Sequence, residues 1–246
     1  MQIDYSRLPK VWPSKIEKGL GYRELADRYA AMDKQPLMVT AQLLTPAFGV
    51  ELHLDGVLSG AVLASHPCTC SFPKGAAIIP LPLDLLWVKD GWPLWAAGDL
   101  APVGDADKGR EYWHKRYPTQ RGDLDKKQNA KTTAGRWREY RQPVSTLSPC
   151  TLKAVCVGNQ IEIQRLLSHV SHIGKKPAAG YGRVLWSVDT IAIDNQQAVE
   201  LVERSRLLPC DYAAARSLTG RPVPARGWTP PYWYAPNWSD CIEVLT

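Results

Sequence analysis

The chain has 246 residues, enough for one large domain or two small ones, and 45% of them are hydrophobic, which excludes wholesale disorder. Its formal charge is +6, basic without being extreme, so where the charge sits matters more than the total. Ten Trp and ten Tyr against two Phe favour rings with a polar tip, suited to interfaces and base stacking as well as to a core. Residues 1–36 read as an extension placed before the core: Tyr22, Leu25, Ala26, Tyr29 and Met32 fall at helical spacing, with Arg23, Arg28 and Lys34 on the other side. The core is expected to run from 37 to 246. A strand is predicted over 37–45, with Leu37, Val39, Ala41 and Leu43 on one face and Pro46 ending it. Leu54, Val57, Leu58, Ala61 and Val62 predict a helix, with Asp55 in its first turn. Apolar runs at 81–88 and 93–97 flank Lys89-Asp90-Gly91-Trp92, a hairpin signal. A long polar insertion follows. Then come a strand over 151–157, a helical stripe of Ile163, Leu166, Leu167 and Val170, and an alternating strand over 183–193. This order predicts an α+β fold of ferredoxin-like, RRM-like plan, an antiparallel sheet with helices on one face. The Pro-rich tail, about 221–246, reads as irregular chain lying on a surface.

The six cysteines form no CxxC pair, and Cys68 and Cys70 are too close for the usual zinc-ligand spacing, so mostly free thiols in a reducing cytoplasm are expected. No secretory signal opens the sequence, and the apolar stretch 76–88 is interrupted by Pro80, Pro82 and Asp84, which excludes it as a membrane span. The sharpest feature is the run 173–183, Ile-Gly-Lys-Lys-Pro-Ala-Ala-Gly-Tyr-Gly-Arg, between a helix and a strand. Gly174, Gly180 and Gly182 remove Cβ atoms where a backbone can pass close to a ligand, while Lys175, Lys176 and Arg183 add charge and Tyr181 a ring. Glycine amides beside cations suit phosphate oxygens. A helix cap and turn at Gly174 explains the same residues equally well. No Gly-Lys-Ser/Thr closes the run and no helix opens from it, so it is neither a Walker loop nor a dinucleotide fingerprint. The insertion over 108–141 holds eleven Lys or Arg and four acids, a net of +7 that exceeds the charge of the whole chain. Tyr112, Trp113, Tyr117, Trp137 and Tyr140 interleave with its cations, a pattern suited to phosphates and unstacked bases. Its middle, 121–135, has almost no large apolar residue and is expected to be mobile without a partner. Among the histidines, His169 and His172 read as core or surface residues, and His53, just before the first core helix, is where a metal-independent ribonuclease holds a general base. No HExxH, GxSxG or metal-binding carboxylate cluster is present, so neither a metal nor a cofactor is expected.

The glycine loop, read with Leu166-Leu167-Ser168-His169-Val170-Ser171-His172-Ile173 before it, resembles the signature of the CRISPR-associated RAMP superfamily. Three more stretches narrow the resemblance: 36–41 entering the first strand, 53–58 entering the first helix, and Arg221-Pro222-Val223-Pro224 with Pro230-Pro231-Tyr232-Trp233 in the tail. Together they are similar to the subunit of type IV CRISPR effector complexes that caps the five-prime handle of the crRNA, over roughly 36–240. The resemblance implies a non-catalytic RNA-binding subunit whose partners are the crRNA, a filament of backbone subunits and the large subunit, near target DNA. It implies that the loop residues Gly174, Lys175, Lys176, Gly180, Tyr181, Gly182 and Arg183 contact RNA. The insertion, about 105–143, corresponds to a thumb, with Lys115, Arg116, Lys126, Lys127, Arg136, Arg138 and Arg141 as its RNA-facing cations. Two alternatives stay open: the crRNA-processing endoribonuclease of the same superfamily, using His53 or His114 with a nearby Arg, and a generic RNA-binding scaffold.

Overall fold

The computed structural model of the chain describes residues 22–48, 52–66, 78–115 and 140–245. The first helix expected from spacing is α1 (Tyr22–Ala30). Its Leu25 and Tyr29, four apart and therefore on one face, are both fully buried, and the Tyr29 hydroxyl donates to the buried Glu162 carboxylate at 2.9 Å. Strand β1 (Gln35–Leu43) follows and turns Leu37, Val39, Ala41 and Leu43 into the core by the period-two alternation of a strand. The two-residue strand β2 (Ala47–Phe48) leads to α2 (Leu54–Ser65), which sets Leu54, Leu58, Ala61 and Val62 on the same core.

Strands β3 (Leu85–Lys89) and β4 (Trp92–Trp95) form the expected hairpin. Asp90 and Gly91 both take positive φ there, the conformation that an Asp-Gly turn provides. The chain continues through β5 (Ala101–Pro102), β6 (Lys108–Lys115), β7 (Tyr140–Leu147), β8 (Thr151–Gly158) and α3 (Gln160–Leu167). The Asn159 side chain caps α3 by accepting from the Glu162 amide at 3.0 Å. After β9 (Val184–Thr190), helix α4 (Asn195–Arg204) starts with a reciprocal capping box between Asp194 and Gln197. The last elements are β10 (Leu207–Pro209), α5 (Cys210–Ala215), β11 (Gly220–Gly227) and β12 (Trp238–Val244).

The central sheet is antiparallel, with the order β5-β8-β1-β9. Two β-α-β units, β1-α2-β5 and β8-α3-β9, interleave in it, so β1 and β8 lie side by side at its centre. Leu152, Ala154 and Cys156 of β8 join the β1 residues, α2 and α3 in one core. Three features differ from the sequence-based plan. The hairpin lies outside this sheet, and the short β5 takes the edge beside β8. Helices are not confined to one face, because α4 packs on β8 from the opposite side, where Ala198 meets Val157. The tail is not irregular: β11 and β12 join β10 in a three-stranded antiparallel sheet, ordered β10-β12-β11. Pro222 and Pro224 are accommodated because β11 is an edge strand, where a missing N–H need not break a ladder. Leu94, Leu208, Tyr212, Trp228 and Cys241 make a second small core between this sheet and the hairpin.

The ends of the basic insertion pair as β6 and β7 along eight residues each, and β2 extends that ladder through β7. The expectation of mobility over 121–135 falls outside the described residues. Among the described residues no helix is long and apolar enough to cross a membrane.

Candidate nucleic-acid interface

The glycine loop is built onto the end of β1 and onto β2. Ile173 donates to the Gly182 carbonyl and Val184 to the Ser171 carbonyl, so the segments on either side of the loop pair with each other. The loop they close is pinned from below. Gly182 donates to the Pro46 carbonyl at 2.8 Å and Lys175 to the Phe48 carbonyl at 3.1 Å. The Thr45 hydroxyl donates to the Gly180 carbonyl and accepts from the Arg183 amide, both at 2.8 Å. Gly174, Lys176, Gly180 and Gly182 all have positive φ.

The three glycines do different things. A Cβ at Gly174 would lie 2.4 Å from the Phe48 carbonyl oxygen, and one at Gly182 would lie 1.9 Å from that of Ile173. At those two positions the close neighbour is the chain's own backbone. Gly174 is therefore no helix cap either: α3 ends at Leu167, well before it. Gly180 alone among the three faces open space. The crest 174–180 is exposed, and Lys175 and Arg183 project from it and from its descending side.

The loop leans on the root of the basic arm. The Tyr181 ring lies against Phe48 at 4.1 Å, and its hydroxyl donates to Glu111 of β6 at 2.5 Å. That hydrogen bond, with smaller contributions from burial and the carboxylate charge, raises the tyrosine's pKa. The Lys176 ammonium sits 3.8 Å from the centre of the Trp113 ring, also on β6, a cation–π contact. Arg141, at the start of β7, lies over the Tyr112 ring at 3.9 Å. Glu111 and Trp113 alternate with Tyr112 along β6, so Arg141 is on the other face of the arm from the loop. Lys115 ends β6, while Arg116, Lys126, Lys127, Arg136 and Arg138 lie outside the described residues.

Of the cations elsewhere, Lys89, Arg165, Arg206, Arg216 and Arg221 each pair with a carboxylate. Among the described residues no carboxylate pairs with Lys108, Arg110, Arg141, Lys175 or Arg183. These five cations put a group of positive charges able to meet phosphate on the loop and the arm. A groove of about 420 Å³ opens beside them, between Gly56, Gly60 and Ala64 of α2 and the segment from His169 to Gly174.

A family model for CRISPR type IV associated protein Csf3 matches residues 106–243, which span the arm, the loop and the C-terminal sheet. The chain belongs to this Csf3 family. No curated protein matches the chain. The match begins at the foot of the arm, so β1 and α2, which brace the loop and line the groove, precede the matched region.

A second cluster was only half visible in the sequence. The His53 Nδ1 lies 2.7 Å from Asp99, and its ring stacks on Tyr232 at 3.9 Å. The Tyr232 hydroxyl donates to Asp55, and Asp55 accepts from Arg206 at 3.2 Å. Asp55, placed by its sequence position in the first turn of α2, is thereby 1% exposed and charge-paired instead of facing solvent. Burial pulls the His53 pKa down, but the Asp99 hydrogen bond and the Asp99 and Asp55 charges outweigh it and hold the imidazole above its ordinary value. Both terminal nitrogens of Arg206 are engaged within the protein: it also donates to the carbonyls of Trp95, Ala97 and Trp228, and only its buried Nε lacks a partner. Arg206 directly before Leu207-Leu208 was the available sequence signal, since an arginine leading into an apolar strand is either exposed or paired in the core. Among the described residues no group of three or more His, Cys, Asp or Glu is placed to hold a metal.

Proposed function

We propose that this chain is a non-catalytic crRNA-binding subunit of a type IV CRISPR ribonucleoprotein, capping the five-prime handle beside the backbone filament and the large subunit, near the target duplex. The β5-β8-β1-β9 sheet with its two interleaved β-α-β units is, in this reading, the ferredoxin-like core of a RAMP-type subunit, and the β6–β7 arm is its thumb. The observation that carries the reading is the pinned, exposed crest 174–180 with uncompensated Lys175 and Arg183 beside it. Four backbone and hydroxyl hydrogen bonds hold that crest before any ligand arrives, so ordering it costs little on binding. Lys175 and Arg183 supply phosphate contacts, Gly180 lets a sugar–phosphate chain approach closely, and Lys176 is steadied over Trp113 with its N–H groups available to an oxygen.

Replacing Lys175 and Lys176 together with Ala tests this. Each lost phosphate contact lowers the log–log salt slope of single-stranded RNA binding by about 0.7, so the pair lowers it by about 1.4. An unchanged slope contradicts a role for the loop. The second reading, a metal-independent endoribonuclease, is favoured by the Asp99-oriented imidazole of His53, which is the arrangement of a general base. Against it, Arg206, the cation nearest that pair, is only 2% exposed at its side chain and spent on Asp55. Incubation with repeat RNA separates the readings: a 2′,3′-cyclic phosphate product supports cleavage, and intact RNA supports capping.

A further inference from the structure

The arm has two faces with different chemistry. Glu111 and Trp113 face the glycine loop, as their contacts with Tyr181 and Lys176 require. Lys108, Arg110, Tyr112 and His114 occupy the alternate positions of β6, and the β6–β7 register places Ser145, Pro143 and Arg141 opposite Arg110, Tyr112 and His114 on that same outer face. From Arg110 to His114, and from Arg141 to Pro143, these outer-face residues are exposed. Glu111, the one acid within β6, is turned to the other side, and Asp105 and Asp107 precede the strand.

We propose that this outer face is a second binding track, for a single strand of nucleic acid other than the strand held at the glycine loop. Arg141 is held over Tyr112, which is 45% exposed, so its guanidinium is positioned to meet a phosphate or to stack under an unpaired base. Lys108 and Arg110 continue the positive row toward the foot of the arm. A strand on this row cannot also touch Lys176 or Tyr181 directly, because the β6–β7 ribbon stands between them. One ribbon therefore separates two nucleic-acid paths. The chemistry is phosphate pairing and base stacking, sequence-tolerant and strongly salt-dependent.

The inference rests on the RNA-binding reading above, and the test keeps the two apart. The full chain is first saturated with an unlabelled single-stranded RNA of its own CRISPR repeat. Binding of a fluorescent 20-nucleotide single-stranded DNA of mixed sequence is then measured by anisotropy. The expected result is a ternary complex, with DNA binding reduced at least tenfold by the combined R110A and Y112A changes while RNA affinity moves less than threefold. As a folding-independent check, photocrosslinking of a 4-thiothymidine-substituted DNA to the RNA-loaded wild-type protein is expected to mark the peptide containing Tyr112. Mutually exclusive binding of RNA and DNA, an equal loss of both in the double variant, or a crosslink confined to 174–183 overturns the second track. A wild-type protein that binds no RNA at all overturns the reading on which it rests.

Discussion

Two alanine substitutions in the glycine loop, Gly180→Ala and Gly182→Ala, separate backbone strain from steric collision at neighbouring positions. Both glycines have positive φ, +83° and +70°, so either substitution places an L residue in the left-handed region at about 1–2 kcal/mol. At Gly180 the new methyl group meets nothing within 4 Å, and that cost is the whole effect. At Gly182 it would fall 1.9 Å from the Ile173 carbonyl oxygen, which forces the two paired segments apart. The hydrogen bonds from Ile173 to Gly182 and from Gly182 to Pro46 then open, each contributing about 1 kcal/mol. Gly182→Ala is therefore expected to destabilise by about 3–4 kcal/mol. In a protein of this size a loss of 1 kcal/mol lowers the melting temperature by about 2–4 °C, so the expected drops are about 2–8 °C for Gly180→Ala and about 6–16 °C for Gly182→Ala. Thermal unfolding followed by far-ultraviolet circular dichroism reads both. Equal drops refute the assignment of Gly182 to a packing contact within the chain, and a larger drop for Gly180→Ala refutes the description of the crest as open.

Replacing Arg206 with Met leaves the Asp55 carboxylate buried without its charge partner, and urea unfolding is expected to show a loss of about 3–5 kcal/mol; a loss below about 1 kcal/mol contradicts the buried pair. His53 gives a pH signature. Its folded pKa lies above the ordinary imidazole value of 6.5, so the Asp99 pair contributes stability that is fully present below about pH 6.5 and is lost as pH rises through the folded value. His53→Gln is expected to remove that component of the pH dependence, and superimposable wild-type and variant curves across pH 5–9 exclude it.

The sequence disclosed most of the central sheet because its strands and helices each bury one face. Leu37, Val39, Ala41 and Leu43 alternate, and Ile163, Leu166 and Leu167 recur at helical spacing. Elements without that asymmetry were silent. Strands β6 and β7 carry charged and aromatic residues on both faces, since one face meets solvent and the other meets a polar loop, and period two in hydrophobicity never develops. Helix α4 buries little beyond Ala198 and Val202, and β11 carries two prolines that only its edge position permits. The loop residues of the site were legible as a cluster from Gly174 to Arg183, but not which glycine faces outward. That distinction depends on Pro46 and Phe48, which are more than 120 positions away in the chain. The same holds for the Asp55–Arg206 pair, joined across 151 positions.

The central claim is that the exposed crest and its uncompensated cations hold the start of a guide RNA. Purifying the chain from its host under native conditions and sequencing the five-prime ends of the bound RNA tests it most directly. The account predicts RNA whose reads begin at one common repeat-derived position. Protein free of nucleic acid, or RNA with scattered five-prime ends, contradicts it.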